Sequence, residues 1–270
     1  MKKHLLAVAV TALAAGSVFA QANDTLAKIK ASGSITLGVR ESSGALAYTL
    51  GDGKYVGFHT EMAERITSDL RKQLGMTALD IKYQPVTSQN RIPLVTNGTV
   101  DLECGSTTND ANRQKDVAFA ITTYVEEVRI AVKAKSGITG IKDLKGKTIA
   151  TTTGTTSVQT LRKNKRAEGI EFKEVFGKDH ADSFLLLETG RADAFVMDGS
   201  ILAGNISKAK TPSDFKIVGE VLAVAPIACM LRKDDPAFKK AVDDSIKRQI
   251  ADGTLTKSYD KWFMQPIPPA

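Results

Sequence analysis

Apolar positions along this chain follow two spacings that alternate from residue 34 onward. Short unbroken apolar runs, such as Ser34–Val39 and Ala194–Met197, are typical of buried strands, whereas Met62, Ile66 and Leu70 recur at the spacing of one helix face. Strands and helices that take turns in this way predict an α/β fold with a largely parallel sheet. Further strands are predicted at 79–85, 128–133, 147–151, 172–175, 217–224 and 228–232.

The predicted elements form two successive α/β units, each with polar loops where its strands end. Ligands of open α/β sheets bind beyond the carboxyl ends of the strands, so these loops predict two lobes that face a common cleft. The loops are 40–43, 105–108, 152–157 and 198–199. The predicted helices are 60–74, 158–166, 181–189, 200–210, 238–251 and 255–263.

The first 22 residues have the composition of an export signal. Two lysines follow the initial methionine, Leu5–Ala15 is almost entirely apolar, and Ala20-Gln21-Ala22 forms an A-x-A cleavage pattern. The apolar run is too short for a transmembrane helix. A mature protein that begins near Asn23, free of any membrane anchor and located in the bacterial periplasm, is therefore expected.

The formal charge of the chain is +7, and basic residues are spread along its length. Their densest run, Arg162–Arg166, falls in a predicted helix and has no aromatic residues between its charges. Such a run is typical of a solvated helix face, so no nucleic-acid partner is expected. An acidic small ligand remains compatible with the basic balance.

The sequence contains no motif typical of a metal site or of a catalytic nucleophile. His59 and His180 stand far apart without an HExxH pattern, and Cys104 and Cys229 lack a CxxC partner. A G-x-S-x-G nucleophile elbow is also missing. No metal, no cofactor and no enzymatic activity are therefore predicted. The two cysteines of an exported chain form either a disulfide or two buried thiols, and their spacing does not decide.

Two arginines flank a polar loop in the stretch from residue 87 to residue 120. The loop 104–108 follows a short predicted strand, with Arg91 before it and Arg113 after it. Backbone N–H groups, hydroxyls and planar guanidinium groups all donate to carboxylate oxygens, so this stretch is suited to hold a carboxylate. The alternative is a solvated turn with two surface arginines.

Several hydroxyl and amide residues precede predicted helices. Ser88 or Gln89 is predicted to cap a short helix that starts near residue 91. The loop 152–157 also leads into a helix, where free N–H groups and the helix dipole attract anions. The alternative for that loop is ordinary N-capping by Thr155 or Thr156.

His180 and Asp198 each allow more than one role. His180 has acidic neighbours and could act as a base, as a surface cap of the helix that begins near Ala181, or as a donor to an anionic ligand. Asp198 ends an apolar strand, where its carboxylate could pair with an ammonium group or cap the next helix. The residues alone leave these alternatives open.

Taken together, the motifs resemble those of the periplasmic solute-binding proteins of ABC importers for polar amino acids, solute-binding protein family 3. The resemblance is strongest to the members that bind glutamate and aspartate, and it covers nearly all of the mature chain. The motifs are VRESS at 39–43, TSQNRIPL at 87–94, ECGSTTN at 103–109, RQK at 113–115, TTGTTS at 152–157, KDHADSF at 178–184, AFVMD at 194–198 and CMLRKDDP at 229–236.

The resemblance implies a type II binding-protein fold, in which two lobes joined by two hinge crossings close over the ligand. The first lobe would comprise 23–124 and 227–270, and the second lobe 125–226. A disulfide between Cys104 and Cys229 near the hinge becomes plausible. An inner-membrane ABC permease is the implied partner, L-glutamate or L-aspartate the implied ligand, and a monomer the implied state.

Site residues also follow from the resemblance, position by position. The ligand α-carboxylate would be met by Arg113, Ser106, Thr108, Thr155 and Thr156. The α-ammonium group would be met by Asp198. The side-chain carboxylate would be met by Arg40, Ser88, Arg91 and His180, so that three arginines stand against one aspartate. Two alternatives remain: a dehydratase-like enzyme on the same fold, with His180 as general acid, and a receptor for another polar amino acid.

Overall fold

The computed structural model describes residues 24–265. The predicted export signal, residues 1–22, lies outside the described residues. The helices are α1 Thr25–Ser32, α2 Phe58–Gln73, α3 Arg91–Thr96, α4 Thr156–Glu168, α5 His180–Glu188, α6 Gly199–Ser207, α7 Pro236–Ala251 and α8 Thr254–Phe263. The strands are β1 Ser34–Val39, β2 Ser42–Ser43, β3 Ala47–Gly51, β4 Lys54–Val56, β5 Asp80–Pro85, β6 Leu102–Glu103, β7 Val117–Lys133, β8 Thr148–Thr152, β9 Lys173–Gly177, β10 Ala194–Asp198 and β11 Phe215–Arg232.

Eight strands share hydrogen bonds in the order β5-β1-β6-β11-β7-β10-β8-β9. The pairs at both ends are parallel: β1 with β5 and β6, and β8 with β9 and β10. The central strands β7 and β11 are antiparallel to each other and to their outer neighbours. The predicted α/β fold is therefore confirmed, with parallel sheets at either end of an antiparallel pair.

One prediction about the strands is wrong. The segments 217–224 and 228–232 belong to a single strand, β11, which pairs with β7 from Phe215 opposite Lys133 to Arg232 opposite Val117. The pairing register shifts three times along this ladder. Such bulges bend and twist a strand without ending it, so a break in the apolar pattern does not end the strand. These two long strands lie at the centre of the sheet and connect its two parallel ends.

Buried apolar residues gather on both sides of these two strands. One pair of clusters draws on residues 26–124 and 228–263, and Phe58 and Phe238 are among its fully buried members. The other pair draws on residues 128–223 and includes Ile130 and Phe195. We call the elements around the first pair the first lobe and those around the second pair the second lobe. The boundaries at 124/125 and 226/227 stay a prediction.

Cys104 and Cys229 form a disulfide within the first lobe. Cys104 follows β6 and Cys229 lies in β11, and these strands are neighbours in the sheet. The bond therefore fixes the start of the polar loop 104–108 to one of the two central strands. The alternative of two free thiols does not hold. None of the helices in residues 24–265 combines the length and apolar character needed to cross a bilayer.

The cap predicted for α3 is also wrong. Asn90 precedes the helix, and its side-chain oxygen accepts from the Thr87 N–H at 2.7 Å, while Thr87 Oγ1 accepts from the Asn90 N–H at 3.2 Å. This reciprocal pair closes the turn before α3. Ser88, which the sequence offered as a cap, is buried and faces Arg40.

Candidate functional site: a buried cleft between the lobes

The predicted polar loops meet at the carboxyl ends of strands from both lobes. Arg40 follows β1, the loop 104–108 follows β6, Thr152 ends β8 and Asp198 ends β10. Thr156 is partly buried, and the other predicted site residues are buried: Arg40, Ser88, Arg91, Ser106, Thr108, Arg113, Thr155, His180 and Asp198. The alternative of a solvated turn with two surface arginines is therefore wrong.

Arg40 bridges the two lobes with its guanidinium group. Its Nη1 donates to Ser88 Oγ at 3.1 Å, and its Nη2 lies 2.5 Å from Asp179 Oδ1 and 3.2 Å from His180 Nε2. Its Nε finds no partner within residues 24–265. The structure thus brings Arg40, Ser88 and His180 together as predicted, and it adds Asp179, which the sequence does not predict.

His180 is buried at the start of α5 with both ring nitrogens engaged. Arginine has no acceptor, so the Nε2 beside Arg40 accepts and Nδ1 carries the ring hydrogen. Nδ1 then donates to Thr152 Oγ1 at 3.0 Å, and Thr152 Oγ1 lies 2.8 Å from Ser183 Oγ. Burial lowers the pKa of His180 to about 3, and the Arg40 charge acts in the same direction. The imidazole is neutral, and its reading as a surface cap is wrong.

Arg91 lies buried at the first position of α3. Its Nε and Nη1 have no hydrogen-bond partner within residues 24–265. Burial lowers the pKa of its guanidinium below the ordinary value, as do the charges of Arg113 and Arg40, while Glu103 and Asp198 oppose the shift. Arginine titrates far above neutrality, so the group stays charged. It is a buried cation with donors to spare.

Arg113 reaches across the cleft from a short 3-10 turn. Its Nη1 donates to the Thr108 carbonyl at 2.9 Å, and its Nη2 donates to the Gly154 carbonyl of the second lobe at 3.2 Å. Asp110 lies 3.7 Å from its Nε. Burial lowers the pKa of Arg113, and the Asp110 carboxylate offsets part of that shift. The guanidinium therefore lies where the two hydroxyl-rich loops meet.

The hydroxyl groups of these loops also pair across the site. Thr108 Oγ1 lies 3.2 Å from Thr156 Oγ1 of the other lobe, and Ser106 Oγ lies 2.9 Å from Ser43 Oγ. Thr155 precedes α4, but its hydroxyl donates to the Thr152 carbonyl at 2.8 Å and does not cap the helix. The N–H groups at the start of α4 thus stay available to an anion.

Asp198 ends β10 in a buried position, and its Oδ1 has no partner within residues 24–265. It makes no side-chain cap on α6, although it precedes that helix. Burial raises the pKa of Asp198 to about 6, against the opposing charges of Arg91, Arg113 and Arg40. An unpartnered buried carboxylate is costly by itself, so this position suits a cationic group.

A second buried carboxylate, that of Glu126 on β7, lies near Asp198, which ends β10. Its Oε2 accepts from the Ser200 N–H at 3.3 Å, and its Oε1 accepts from the Ser200 hydroxyl. Burial and the charge of Asp198 together raise the pKa of Glu126 to about 8. Two buried negative charges so close together are unfavourable, and Glu126 holds the start of α6 through its contacts with Ser200.

Gly105 allows a carboxylate to lie behind the arginines. A Cβ at this position would lie 2.2 Å from Glu103 Oε1 and 2.6 Å from Arg40 Cγ. Glu103 is fully buried, and its Oε2 accepts from the Thr107 hydroxyl at 2.6 Å. The neutral ring of His59 lies 2.6 Å from the Gly105 carbonyl through Nδ1 and fixes the loop. Only glycine fits between these groups.

The expectation of three arginines against one aspartate is wrong, because two more carboxylates belong to the cluster. Asp179 pairs with Arg40, and Glu103 lies close enough to influence both Arg91 and Arg113. Both acidic residues stand in motifs that carry the resemblance, ECGSTTN at 103–109 and KDHADSF at 178–184, but neither is predicted to belong to the site. The net positive charge of the cluster is therefore smaller than predicted, and Arg91 is its least compensated arginine.

Residues 35–265 match the family described as bacterial extracellular solute-binding proteins, family 3. The chain belongs to this family. The match spans nearly all of the described residues and includes every predicted site residue. The resemblance inferred from the motifs is thus confirmed.

Two relatives are similar to this solute-binding protein over nearly its whole length. The "Glutamate/aspartate import solute-binding protein" of Escherichia coli strain K12 is 44% identical over 97% of this chain and 89% of its own. The "L-glutamate/L-aspartate-binding protein" of Pseudomonas aeruginosa is 44% identical over 98% of this chain and 89% of its own.

A solved structure places the same fold in a wider group. An ancestral amino acid-binding protein, described as a precursor of cyclohexadienyl dehydratase, superposes with a TM-score of 0.76 at 26% identity. It covers 89% of this solute-binding protein and 100% of its own chain. The two-lobed fold alone therefore does not distinguish a receptor from an enzyme, and the decision rests on the residues of the cleft.

Proposed function

We propose that this protein is a periplasmic receptor that captures L-glutamate and L-aspartate between its lobes and delivers them to an inner-membrane ABC permease. The observation that carries the proposal is the pair Arg91 and Asp198, a buried cation and a buried anion. Within the described part of the chain, residues 24–265, Nε and Nη1 of Arg91 and Oδ1 of Asp198 have no hydrogen-bond partner. An amino acid with an acidic side chain offers partners to both. Both relatives are glutamate/aspartate-binding proteins, which supports the same ligand class, and the one from Escherichia coli is an import protein, which supports a permease partner.

The remaining residues divide between the three charged groups of such a ligand. Arg113 and the hydroxyl groups around it would hold the α-carboxylate, since guanidinium and hydroxyl donors converge there. Asp198 would hold the α-ammonium group. Arg91 would meet the side-chain carboxylate. The full set proposed is Arg113, Ser106, Thr108, Thr155 and Thr156 for the α-carboxylate, Asp198 for the ammonium group, and Arg40, Ser88 and Arg91 for the side chain, with His180 accepting from Arg40 and orienting its guanidinium group.

Closure of the lobes would couple binding to transport. Residues 23–124 and 227–270 would move as one body and 125–226 as the other, about the crossings in β7 and β11. A ligand stabilises the closed form only through contacts that both lobes make at once. Arg113 and Asp198 supply such contacts, because they stand on opposite lobes and would hold two different groups of one ligand, the α-carboxylate and the α-ammonium group. The permease would then recognise the closed form.

An enzymatic function is less well supported by the cleft. His180 is the candidate general acid, yet burial lowers its pKa to about 3 and its single ring hydrogen is donated to Thr152. A neutral imidazole engaged on both sides has no proton to deliver to a leaving group at neutral pH. A ligand with an amide side chain is also less suited, because it would leave the Arg91 charge buried and uncompensated.

The proposal is tested by calorimetric titration of protein that has been unfolded, freed of carried-over ligand and refolded. Glutamate, aspartate, glutamine, asparagine, arginine and histidine are each added to the same preparation. Tight one-to-one binding of the two acidic amino acids, with far weaker binding of their amides, is expected. A preference for an amide or a basic amino acid would overturn the assigned pocket, and no amino-acid binding would reopen the enzymatic alternative.

A further inference from the structure

Asp179 joins the two lobes although it belongs to none of the predicted ligand contacts. It stands in the second lobe directly before α5, and both of its carboxylate oxygens meet first-lobe groups. Oδ1 lies 2.5 Å from Arg40 Nη2, and Oδ2 accepts from the Ser42 hydroxyl at 2.7 Å. These contacts cross the cleft, so they form only when the lobes are close together.

The surrounding atoms hold the Ser42 turn in the same way. Ser42 Oγ accepts from the Ala181 N–H at 3.1 Å, and the Ser42 carbonyl accepts from Asn205 Nδ2 at 3.3 Å. Gly44, two residues after Ser42, packs closely on α6. A Cβ at this position would lie 2.5 Å from the Ser200 carbonyl oxygen. We call Ser42, Asp179, Ala181 and Asn205 the interlobe clasp.

The clasp changes what Arg40 offers to a ligand. Arg40 and Asp179 are both largely or fully buried, and their side chains form an ion pair. Burial alone would raise the pKa of Asp179, but the Arg40 charge and the Ser42 hydroxyl lower it below its ordinary value. The carboxylate is therefore ionised at neutral pH and cancels most of the Arg40 charge. Among residues 24–265, the Nε and Nη1 atoms of Arg91 have no hydrogen-bond partner.

We propose that Asp179 is a positioning residue that sets ligand specificity: on closure it neutralises Arg40 and fixes its guanidinium against Ser88, so that Arg91 carries the preference for an acidic side chain. This inference rests on the proposed function. It explains why two buried arginines assigned to one carboxylate differ so sharply in their own partners. It also predicts that the acid-over-amide preference is held below the value that two free arginine charges would give.

The test compares the ratio of glutamate to glutamine affinity in the natural protein and in Asp179→Asn. The amide keeps the size and one acceptor of the carboxylate but removes its charge, so Arg40 becomes an uncompensated cation beside the ligand side chain. The ratio is expected to rise about tenfold in favour of glutamate, as expected for one unit charge at several ångströms in a partly buried site. Asp179→Ser removes the same charge with a smaller side chain and must shift the ratio in the same direction.

Two control variants separate charge from closure. Asp182→Asn removes an equal charge three residues further along, on an exposed side chain. Asp182 accepts from the Asp179 N–H at 3.3 Å, and the amide oxygen of asparagine can keep this hydrogen bond, so the variant is expected to leave the ratio unchanged. Ser42→Ala breaks the clasp without removing a charge. It is expected to weaken glutamate and glutamine by the same few-fold factor, since each lost hydrogen bond costs about 1 kcal/mol.

The outcomes distinguish this inference from the proposed function. If the natural protein binds no glutamate, the proposed function fails. If it binds glutamate but Asp179→Asn and Asp179→Ser leave the ratio unchanged or lower it, the role of Asp179 is overturned and the receptor function stands. An equal shift in Asp182→Asn would show a general field effect and would also overturn it. Thermal unfolding of each variant confirms that the measured protein is folded.

Discussion

The first lobe brings three arginines to the cleft, with Glu103 behind them, whereas the second lobe brings carboxylates and no arginine from the predicted set. Arg40, Arg91 and Arg113 all come from the first lobe, and Asp179 and Asp198 come from the second. Within each set the partners differ as well. Arg40 and Asp179 form an ion pair across the cleft, and only Nε of Arg40 is left without a partner within residues 24–265. Among the same residues, Nε and Nη1 of Arg91 and Oδ1 of Asp198 have no partner, and the two side chains do not form an ion pair with each other.

This contrast divides the cleft into a part that the protein completes and a part that a ligand would complete. The Arg40–Asp179 pair closes with the lobes whether or not a ligand matches it. Arg91 and Asp198 need groups of opposite charge on one molecule, which an acidic amino acid supplies. Buried charges without partners are costly, so the second part favours closure only around the right ligand.

The largest effect is expected where the second lobe meets the ligand ammonium group. Asp198→Asn removes the buried anion and is expected to weaken L-glutamate binding about 1,000-fold, since the loss of one partner of a buried charge pair costs about 4 kcal/mol. Calorimetric titration at pH 7 measures the change. Circular dichroism shows whether the variant remains folded.

Glutarate provides the matched control for Asp198→Asn, because it has two carboxylates and no ammonium group. The natural protein should bind glutarate weakly, and Asp198→Asn should not weaken that binding further. Equal losses for glutamate and glutarate would mean that Asp198 supports the cleft without contacting the ammonium group. The division between the two parts of the cleft would then be wrong.

The next effect concerns the two arginines assigned to the side-chain carboxylate. Arg91→Gln is expected to weaken glutamate about 100-fold, because it removes an unpartnered buried cation. Glutamine should lose much less. Arg40→Gln should also weaken glutamate more than glutamine, since it leaves Asp179 without its partner. Titration of both variants with both ligands measures the four constants, and equal losses for glutamate and glutamine would contradict the assigned roles.

The sequence predicts these residues far better than it predicts their partners. The predicted site residues stand in the loops that follow strands or at the starts of the helices and turns that come next, which composition and topology can locate. Asp179, Glu103 and Glu126 are absent from the prediction because their roles depend on side chains remote along the chain: Arg40 and Asp179 are 139 positions apart. Charge balance in a cleft follows from packing, which no local pattern encodes.

The fold shows the same limit. Clear apolar patterns predict β1 as observed and α2 to within a few residues. The hairpin β2–β4, whose strands have two to five residues, is too short to give a clear pattern, yet it carries the Ser42 turn of the clasp. The division of β11 into two strands fails because a bulged strand loses its period without losing its partner.

The disulfide offers a way to perturb the first lobe alone. Changing Cys104 and Cys229 together to serine is expected to lower the free energy of unfolding by about 2 kcal/mol, because the unfolded chain loses a long-range cross-link. The single tryptophan, Trp262, is buried in the first-lobe core, so its fluorescence in urea follows that lobe. Reduction of the natural protein should produce the same shift.

Ligand binding is the control for the disulfide variant. At 25 °C and without denaturant, its glutamate affinity should stay within a few-fold of the natural value, since α3, Arg113 and the second lobe are held by other contacts. A loss as large as that of Arg91→Gln would show that the bond positions the loop 104–108 for binding. The cation-bearing lobe would then depend on the cross-link for its geometry and not only for its stability.

The smallest effect expected is a pH dependence that arises in the second lobe. The arginines of the first lobe do not titrate near neutrality, but burial raises the pKa of Asp198 to about 6. Its carboxylate must be ionised to hold an ammonium group. Affinity for L-aspartate should therefore be near its maximum at pH 7 and about tenfold weaker at pH 5. The ligand's own side chain stays largely ionised in this range.

Stability of the unliganded protein should respond to Asp198 with the opposite sign. Because the folded pKa lies above that of an unfolded aspartate, its contribution to stability is complete below about pH 4 and is lost as the pH rises through about 6. Glu126 and Arg91 face the same site and act on this titration, whereas His180 stays neutral above its pKa of about 3. Thermal unfolding with and without L-aspartate at pH 5 and pH 7 measures both trends. The increase in Tm that the ligand causes should be larger at pH 7 than at pH 5 in the natural protein, and it should be the same at both pH values in Asp198→Asn. If the increase also grows with pH in that variant, a group other than Asp198 causes the pH dependence.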